Sequence, residues 1–359
     1  MPKDFLLYGA NGYTGSLIAR LAVEQGLSPI LAGRDPQKIG PQAAALGLEQ
    51  QVFALNDSAA LDAALKDVAV VLHCAGPFSR TSRPMADACL RSGTHYLDIT
   101  GEAAVFESLA ARDREALEAG VMLLPGAGFD VVPSDCLAAY LKSRLPSATN
   151  LALGIQGLGR ISRGTATTMI ENIDRGGLVR RAGKLKSVPA AWKTRSMDFG
   201  RGPVKAVTIP WGDVATAFYS TGIPNIEVYA AIPASMRLMM RLGRPFGWLL
   251  GSQPVQRFLK KRLDAQPPGP SDAERARGKS FVWGEVRDDS GNVRRARLRG
   301  PEGYTLTALT ALSIVRKVLA GQAPHGFKTP SLAYGPDFIL EIEGVEREDL
   351  NGNDEAGTR

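Results

Sequence analysis

Cysteine is scarce in this 359-residue chain. The three present, Cys74, Cys89 and Cys136, are odd in number and widely spaced, which argues against a disulfide framework and for a reducing compartment. No run of about 18 apolar residues exists to cross a bilayer as a helix. Lys3 and Asp4 lead into a strand-like segment without the apolar core of a secretory signal. A cytoplasmic protein is therefore expected. Internal repeats are absent, and no metal is expected. Acidic residues are scarce in one region only. Residues 1–147 hold twelve basic and sixteen acidic side chains, whereas residues 148–345 hold twenty-nine basic and fifteen acidic. Such an excess suits nucleic acid, an acidic membrane surface, or an anionic substrate or carrier. No nucleic-acid-binding module accompanies the charge, so nucleic acid is set aside.

What is present describes a globular protein long enough for two domains, 44% hydrophobic and 22% charged. Short apolar runs FLLY (5–8), PILAG (29–33), QVFAL (51–55), VAVVLHCAG (68–76), HYLDIT (95–100) and GVMLLPG (120–126) alternate with helical patterns at 16–26, 58–66, 83–92 and 104–119. Continuously apolar strands between helices predict a doubly wound parallel sheet, a Rossmann domain over residues 1–132. The helix PSDCLAAYLKSRL (133–145) leads into a second, mixed α/β domain expected over 148–302 plus 322–345. Its strands are read at NLALGIQG, KAVTIPWG, IEVYAAIP, FVWGEVRD and DFILEIE, with a long helical region at 234–263. The helix at 303–321 is expected to pack back on the first domain, and the polar residues 346–359 to form a disordered tail.

The loop YGANGYTG (8–15) lies between the first strand and the first helix. In such a unit the first glycine allows a tight turn, the second lets backbone approach a pyrophosphate, and the third lets helix and strand pack closely. Gly9, Gly12 and Gly15 have G-x-x-G-x-x-G spacing; only their position after an N-terminal strand makes them a dinucleotide site, with Asn11, Tyr13 and Thr14 between them. Arg34 follows Gly33 at the end of the second strand, nineteen residues past Gly15, where an NAD site usually offers a carboxylate to the ribose. A guanidinium there, with Lys38 one turn away, suits a 2′-phosphate, so NADP(H) is preferred and Asp35 leaves NAD as the lesser reading. The loop holding Ala75, Gly76, Pro77 and Phe78, at the carboxyl end of the fourth strand, is placed beside the nicotinamide.

YGANGYTG, AGR, HCAGPF, YLDITGE, PGAGFDVVPSD and GFKTPSLAYG together resemble the saccharopine dehydrogenase-like oxidoreductases, in particular the branch of trans-acting enoyl reductases. The resemblance covers the first half well. It touches the second at SRGTATTMIENI, GYTLTALTA and GFKTPSLAYG. It implies an NADP-type Rossmann domain, a mixed-sheet substrate domain and hydride transfer, with the cofactor loops falling on the residues named above. The substrate residues of true saccharopine-forming enzymes are not found here, and lysine metabolism is not inherited.

Reduction of a C=C, C=N or C=O bond needs a proton source opposite the hydride donor. Asp130 and Glu102 are the candidates, each also able to satisfy turn amides; Asp98 and Tyr96 read as structural. Arg160 and Arg163, near Thr165, could meet an anionic substrate, apolar or acyl-carrier-bound. An acyl-phosphate semialdehyde dehydrogenase would need a thiolate in an N-P-G-C context, which is absent, and Cys136 reads as a buried small hydrophobe. A non-catalytic NADP-binding sensor or scaffold remains open. The segment 234–263 carries seven basic residues and no acidic one among many Met, Leu, Phe and Trp. It suits either a buried helical hairpin or peripheral contact with an anionic bilayer. A homo-oligomer is expected.

Overall fold

The computed structural model describes residues 4–157, 159–174, 176–243, 249 and 251–350. The chain divides into two units. One runs to Val132 and takes in Tyr304–Ala333; the other comprises Pro133–Gly303 and the chain from Tyr334 onward.

In the first unit, β1 (Asp4–Tyr8), β2 (Ile30–Gly33), β3 (Gln50–Val52), β4 (Val68–His73), β5 (His95–Asp98) and β6 (Met122–Leu124) alternate with α1 (Tyr13–Glu24), α2 (Pro36–Leu46), α3 (Ser58–Leu65), α4 (Phe78–Ser92), α5 (Ala103–Ala110) and α6 (Asp113–Glu118). The strands pair in parallel in the order β6-β5-β4-β1-β2-β3, and a seventh strand, Gly326–Phe327, extends the sheet beside β6. This is a doubly wound Rossmann sheet whose order reverses between β1 and β4. Leu6, Leu7, Leu31, Val70, Val71, Leu72, Leu97 and Leu123 are fully buried, because helices cover both faces of the sheet and each strand must be apolar on both sides. The helix expected at 104–119 breaks around Arg112, which pairs with Asp87 at 2.6 Å and Glu115 at 2.8 Å.

The second unit starts with α7 (Val132–Arg144), then β7 (Asn150–Gly157), α8 (Arg163–Glu171), β8 (Gly177–Arg181), β9 (Lys184–Val188), β10 (Thr194–Asp198), β11 (Pro203–Thr208), α9 (Asp213–Thr221) and β12 (Asn225–Ala231). It continues with α10 (Ala234–Leu242), α11 (Gln253–Asp264), α12 (Asp272–Arg277), β13 (Lys279–Arg287), β14 (Val293–Pro301) and β15 (Glu346–Leu350). The sheet order is β10-β11-β12-β7-β13-β14-β15, parallel only between β12 and β7, with the β8–β9 hairpin branching from β12. Gly284 of β13 faces α7: a Cβ there would sit 2.6 Å from Leu141 and 3.1 Å from Leu137. Met197, Phe199, Tyr229, Phe281 and Trp283 form a further buried cluster.

Several expectations are corrected here. DFILEIE is not a strand: Phe338–Glu341 is a single 3-10 turn, with Phe338 and Ile339 buried. The tail expected from 346 begins as β15, paired antiparallel to β14. Arg297 meets Glu348 at 2.7 Å and Arg299 meets Glu346 at 4.0 Å, so alternating charges that look solvated in sequence match a basic strand edge. The rest of that tail, 351–359, lies outside the described residues. Among the described residues, the helical region expected at 234–263 contains the separate helices α10 and α11. Part of the basic excess is consumed internally: buried Glu285 lies 2.7 Å from both Arg195 and Arg295. Burial pushes its carboxyl up, but hydrogen bonds and charge from those guanidiniums hold it below its ordinary value.

Candidate functional site

The glycine loop is shaped by what its residues lack. Gly9 has a φ of +81°, and its amide donates to the Ala32 carbonyl at 2.8 Å, which turns the chain back over β2. A Cβ on Gly9 would lie 2.8 Å from the amide nitrogen of Ala75, so the loop after β1 and the loop after β4 meet backbone to backbone. A Cβ on Gly15 would overlap the Gly9 carbonyl and come within 2.9 Å of the Ala10 Cα, the close helix-strand approach expected of a third glycine. Gly12 is the N-cap of α1 and supplies no side chain to the first turn of amides; a Cβ there would meet only the Gly9 carbonyl, at 3.3 Å. Gln42 Nε2 donates to the Ala10 carbonyl at 2.9 Å and Ser16 Oγ to the same atom at 3.0 Å, pinning the loop from below. Gly15→Ala is therefore expected to cost about 1–3 kcal/mol of stability and to weaken NADPH and NADH alike, measurable by thermal unfolding and nucleotide titration.

At the end of β2, Gly33 leaves room that a side chain would take from Asn11 Oδ1 at 3.2 Å and Ile39 at 3.0 Å. Arg34 beyond it is exposed. Asp35 is occupied by local structure: it caps α2, accepting from the Gln37 amide at 3.1 Å, and pairs with Lys38 at 3.2 Å. Lys38, expected beside Arg34, is thus engaged with Asp35.

The loop after β4 is held from two sides. Thr81 Oγ1 donates to the Ala75 carbonyl at 2.7 Å and to the Pro77 carbonyl at 3.1 Å; the Gly76–Pro77 peptide is cis. Glu102 accepts from the Phe78 amide at 2.8 Å and the Ser79 amide at 3.1 Å. Its carboxylate caps the N-terminus of α4 from the neighbouring loop, where the local N-cap, Pro77, has no side chain to offer. Asp98, fully buried, accepts from Tyr96 Oη at 2.6 Å and from the Thr100 and Gly126 amides at 2.9 Å each. Burial pushes its carboxyl up to about 6 against those hydrogen bonds. Asp130 lies against Gly101, where a Cβ would sit 2.8 Å from its Oδ2, and loss of hydration raises its carboxyl to about 6.

Three features escaped the sequence. Glu102 caps a helix 24 residues away in sequence. Thr307 and Thr310 grip the loop after β6, Thr307 Oγ1 accepting from the Phe129 amide at 3.0 Å and Thr310 Oγ1 donating to the Ala127 carbonyl at 2.8 Å; the alternating threonines of GYTLTALT were the available signal. Below the β4 loop, fully buried His73 packs edge-on to Phe78 at 5.4 Å and beside Tyr8 at 5.5 Å. Neither of its ring nitrogens has a hydrogen-bond partner, and burial lowers its pKa to about 3.

The loops bearing Gly9, Asn11, Gly12, Tyr13, Thr14 and Gly15, then Gly33 and Arg34, then Ala75, Gly76, Pro77 and Phe78, all lie at the carboxyl ends of β1, β2 and β4. Arg160, Arg163 and Thr165 lie in the second unit, around the start of α8. There Ser162 Oγ accepts from the Thr165 amide at 3.2 Å, and Arg160 stands 4.0 Å from Glu274.

Residues 5–124 match the family model of the saccharopine dehydrogenase NADP-binding domain. The matched stretch, about a third of the chain, is similar to that family's NADP-binding domain. The domain ends at β6, so the match covers the strands whose loops form the glycine cradle and the β4 wall. Among curated relatives, a trans-acting enoyl reductase of Mycobacterium leprae is 36% identical over 150 residues, 40% of this chain and 36% of that protein. A saccharopine dehydrogenase-like oxidoreductase of Bos taurus is 28% identical over 164 residues, 40% of this chain and 38% of that protein. These matches span less than half the length of either relative. The fold of the apo saccharopine dehydrogenase (L-Glu forming) of Saccharomyces cerevisiae matches over 97% of this chain and all of that one, with a TM-score of 0.67 at 12% identity.

Proposed function

We propose that the protein is an NADPH-dependent oxidoreductase acting on a C=C, C=N or C=O bond of an apolar, carrier-tethered acyl substrate. The observation that carries this reading is the cradle itself: three glycines packed so that no side chain intrudes, opening on an uncapped helix N-terminus. Such a surface fits a pyrophosphate, and little else explains three positions where a methyl group would collide or crowd. When bound, the nicotinamide cofactor would supply a hydride. The chain's residues supply the rest of the arrangement. Gly12, Tyr13 and Thr14 amides meet phosphate, Arg34 meets the 2′-phosphate, and Ala75 to Phe78 wall the ring. Asp130, with its carboxyl poised near 6, relays a proton at its Oδ2, while Glu102 holds the wall in place through the Phe78 and Ser79 amides. Arg160, Arg163 and Thr165 engage an anionic part of the substrate.

The carrier-tethered acyl class follows from the relatives named as trans-acting enoyl reductases and from the basic second unit. A thioester-forming mechanism is disfavoured, because burial pushes all three thiols, Cys74, Cys89 and Cys136, above their ordinary values. Titration of the protein with NADPH and NADH, followed by a screen of enoyl, imine and carbonyl acyl thioesters for loss of NADPH absorbance, tests the proposal. Tight NADPH binding with turnover of one acceptor class is expected. Failure to bind either dinucleotide would defeat it; binding without turnover of any acceptor would favour a non-catalytic NADP sensor.

A further inference from the structure

Helix α10 is turned inside out. Its arginines bond back to the protein: Arg237 Nη1 donates to the Ile232 carbonyl at 2.7 Å and to the Lys205 carbonyl at 3.2 Å, and Arg241 Nη2 donates to Thr194 Oγ1 at 2.6 Å. Leu238, Met239 and Leu242, spaced to form one stripe, are 57%, 65% and 64% exposed, and no residue of the helix is buried. Helix α11 repeats the pattern. Lys260 turns inward to Glu171 at 2.5 Å, while Phe258 is 57% exposed with the Arg262 guanidinium 5.2 Å over its ring, and Arg257 and Lys261 are exposed beside it. The sequence between the helices, RPFGW at 244–248, lies outside the described residues.

A single exposed leucine needs no explanation, but a helix that bonds its cations back to the protein and holds its largest apolar side chains outward does. We propose that α10 and α11 dock the protein on an anionic phospholipid surface. The Leu238, Met239 and Leu242 stripe and Phe258 enter the headgroup-acyl boundary, with Arg257, Lys261 and Arg262 over the lipid phosphates. Charge decides the occupant. Arg257, Lys261 and Arg262 are exposed beside the apolar side chains, and the sequence from Ala234 to Leu263 holds no acidic residue to offset them, so a second copy of the chain seated here would set like charges against each other, whereas an anionic bilayer neutralises them. Each cation near such a surface adds attraction to the lipid phosphates, and a short apolar stripe adds binding that is reversible. The inference is independent of the oxidoreductase reading.

Cosedimentation of the full chain with phosphatidylcholine vesicles, with and without an equal part of phosphatidylglycerol, tests it. Pelleting with the mixed vesicles should exceed that with phosphatidylcholine alone by about tenfold or more and should fall as salt rises. The L238E/M239E/L242E variant, shown folded by circular dichroism, should lose it. Should that variant not fold, R257E/K261E/R262E should lose the preference for anionic vesicles. Absence of pelleting with the mixed vesicles, or unchanged pelleting by a folded variant, would overturn the proposal. So would a dimer in ultracentrifugation that the apolar variant dissolves, since the stripe would then be covered by protein.

Discussion

Replacing Arg34 by alanine should weaken NADPH binding by about ten- to a hundredfold and leave NADH within about twofold, the loss of one or two charge-assisted hydrogen bonds worth about 1.5–3 kcal/mol in all. The expectation rests on a division of labour at the end of β2. Asp35, the only carboxylate immediately after the strand, is committed to the Gln37 amide and to Lys38, so it is poorly placed to receive a ribose hydroxyl. Arg34 is exposed, and Gly33 beside it lets Asn11 and Ile39 close in where a Cβ would crowd them. The Lys38 pair is itself solvent-exposed, so it contributes little to the fold, and Lys38→Ala should change NADPH affinity less than Arg34→Ala does. Fluorescence titration of both dinucleotides checks this. Equal losses for NADPH and NADH in Arg34→Ala would mean that the guanidinium shapes the loop and does not read the 2′-phosphate.

The second large effect is on acid stability. His73 has a folded pKa near 3, below the ordinary value of about 6.5. The folded state therefore binds fewer protons than the unfolded state between those values. Stability from this group is full above pH 6.5 and is lost as pH falls towards 3, by roughly 3 kcal/mol at pH 4. Asp98 and Asp130 act oppositely: carboxyls raised to about 6 penalise the folded state at neutral pH and cease to do so as pH falls through 6 towards 4. His73→Phe keeps an aromatic ring among Tyr8, Phe78 and Tyr96 and removes two buried nitrogens that lack partners. Urea midpoints should then rise for the variant as pH falls from 6.5 to about 4.5, while those of the parent lag behind. Parallel curves for the two proteins would show that His73 is protonated in the folded state or reaches water.

Much of the first unit was legible because its signals are local. A buried parallel strand is an unbroken apolar run, and three glycines after the first run specify both the turn and the ligand class. The second unit obeys other rules. The β8–β9 hairpin, GLVRR and KLKSV, carries so many cations that no strand pattern stands out; its arginines are accommodated by distant partners, Arg181 by Glu227 and Arg180 by the Val214 carbonyl at 2.7 Å. DFILEIE has the apolar content of a strand, yet hydrogen bonds from the Phe338, Leu340 and Ile342 amides to the Gly335, Asp337 and Ile339 carbonyls close it into a 3-10 turn. Within the site, Glu102 illustrates the limit. Its type and place at a strand end matched an acid-base catalyst, and only the fold reveals that two amides of α4 occupy its oxygens.

The contact between Gly9 and Ala75 has one more implication. With main chain resting on main chain and no rotamer between them, the two loops have no lever by which one could swing without the other. The floor of the proposed nucleotide seat is thus fixed by main chain alone, so binding should require little reorganisation there, and the entropy lost on capture should come mainly from the coenzyme itself.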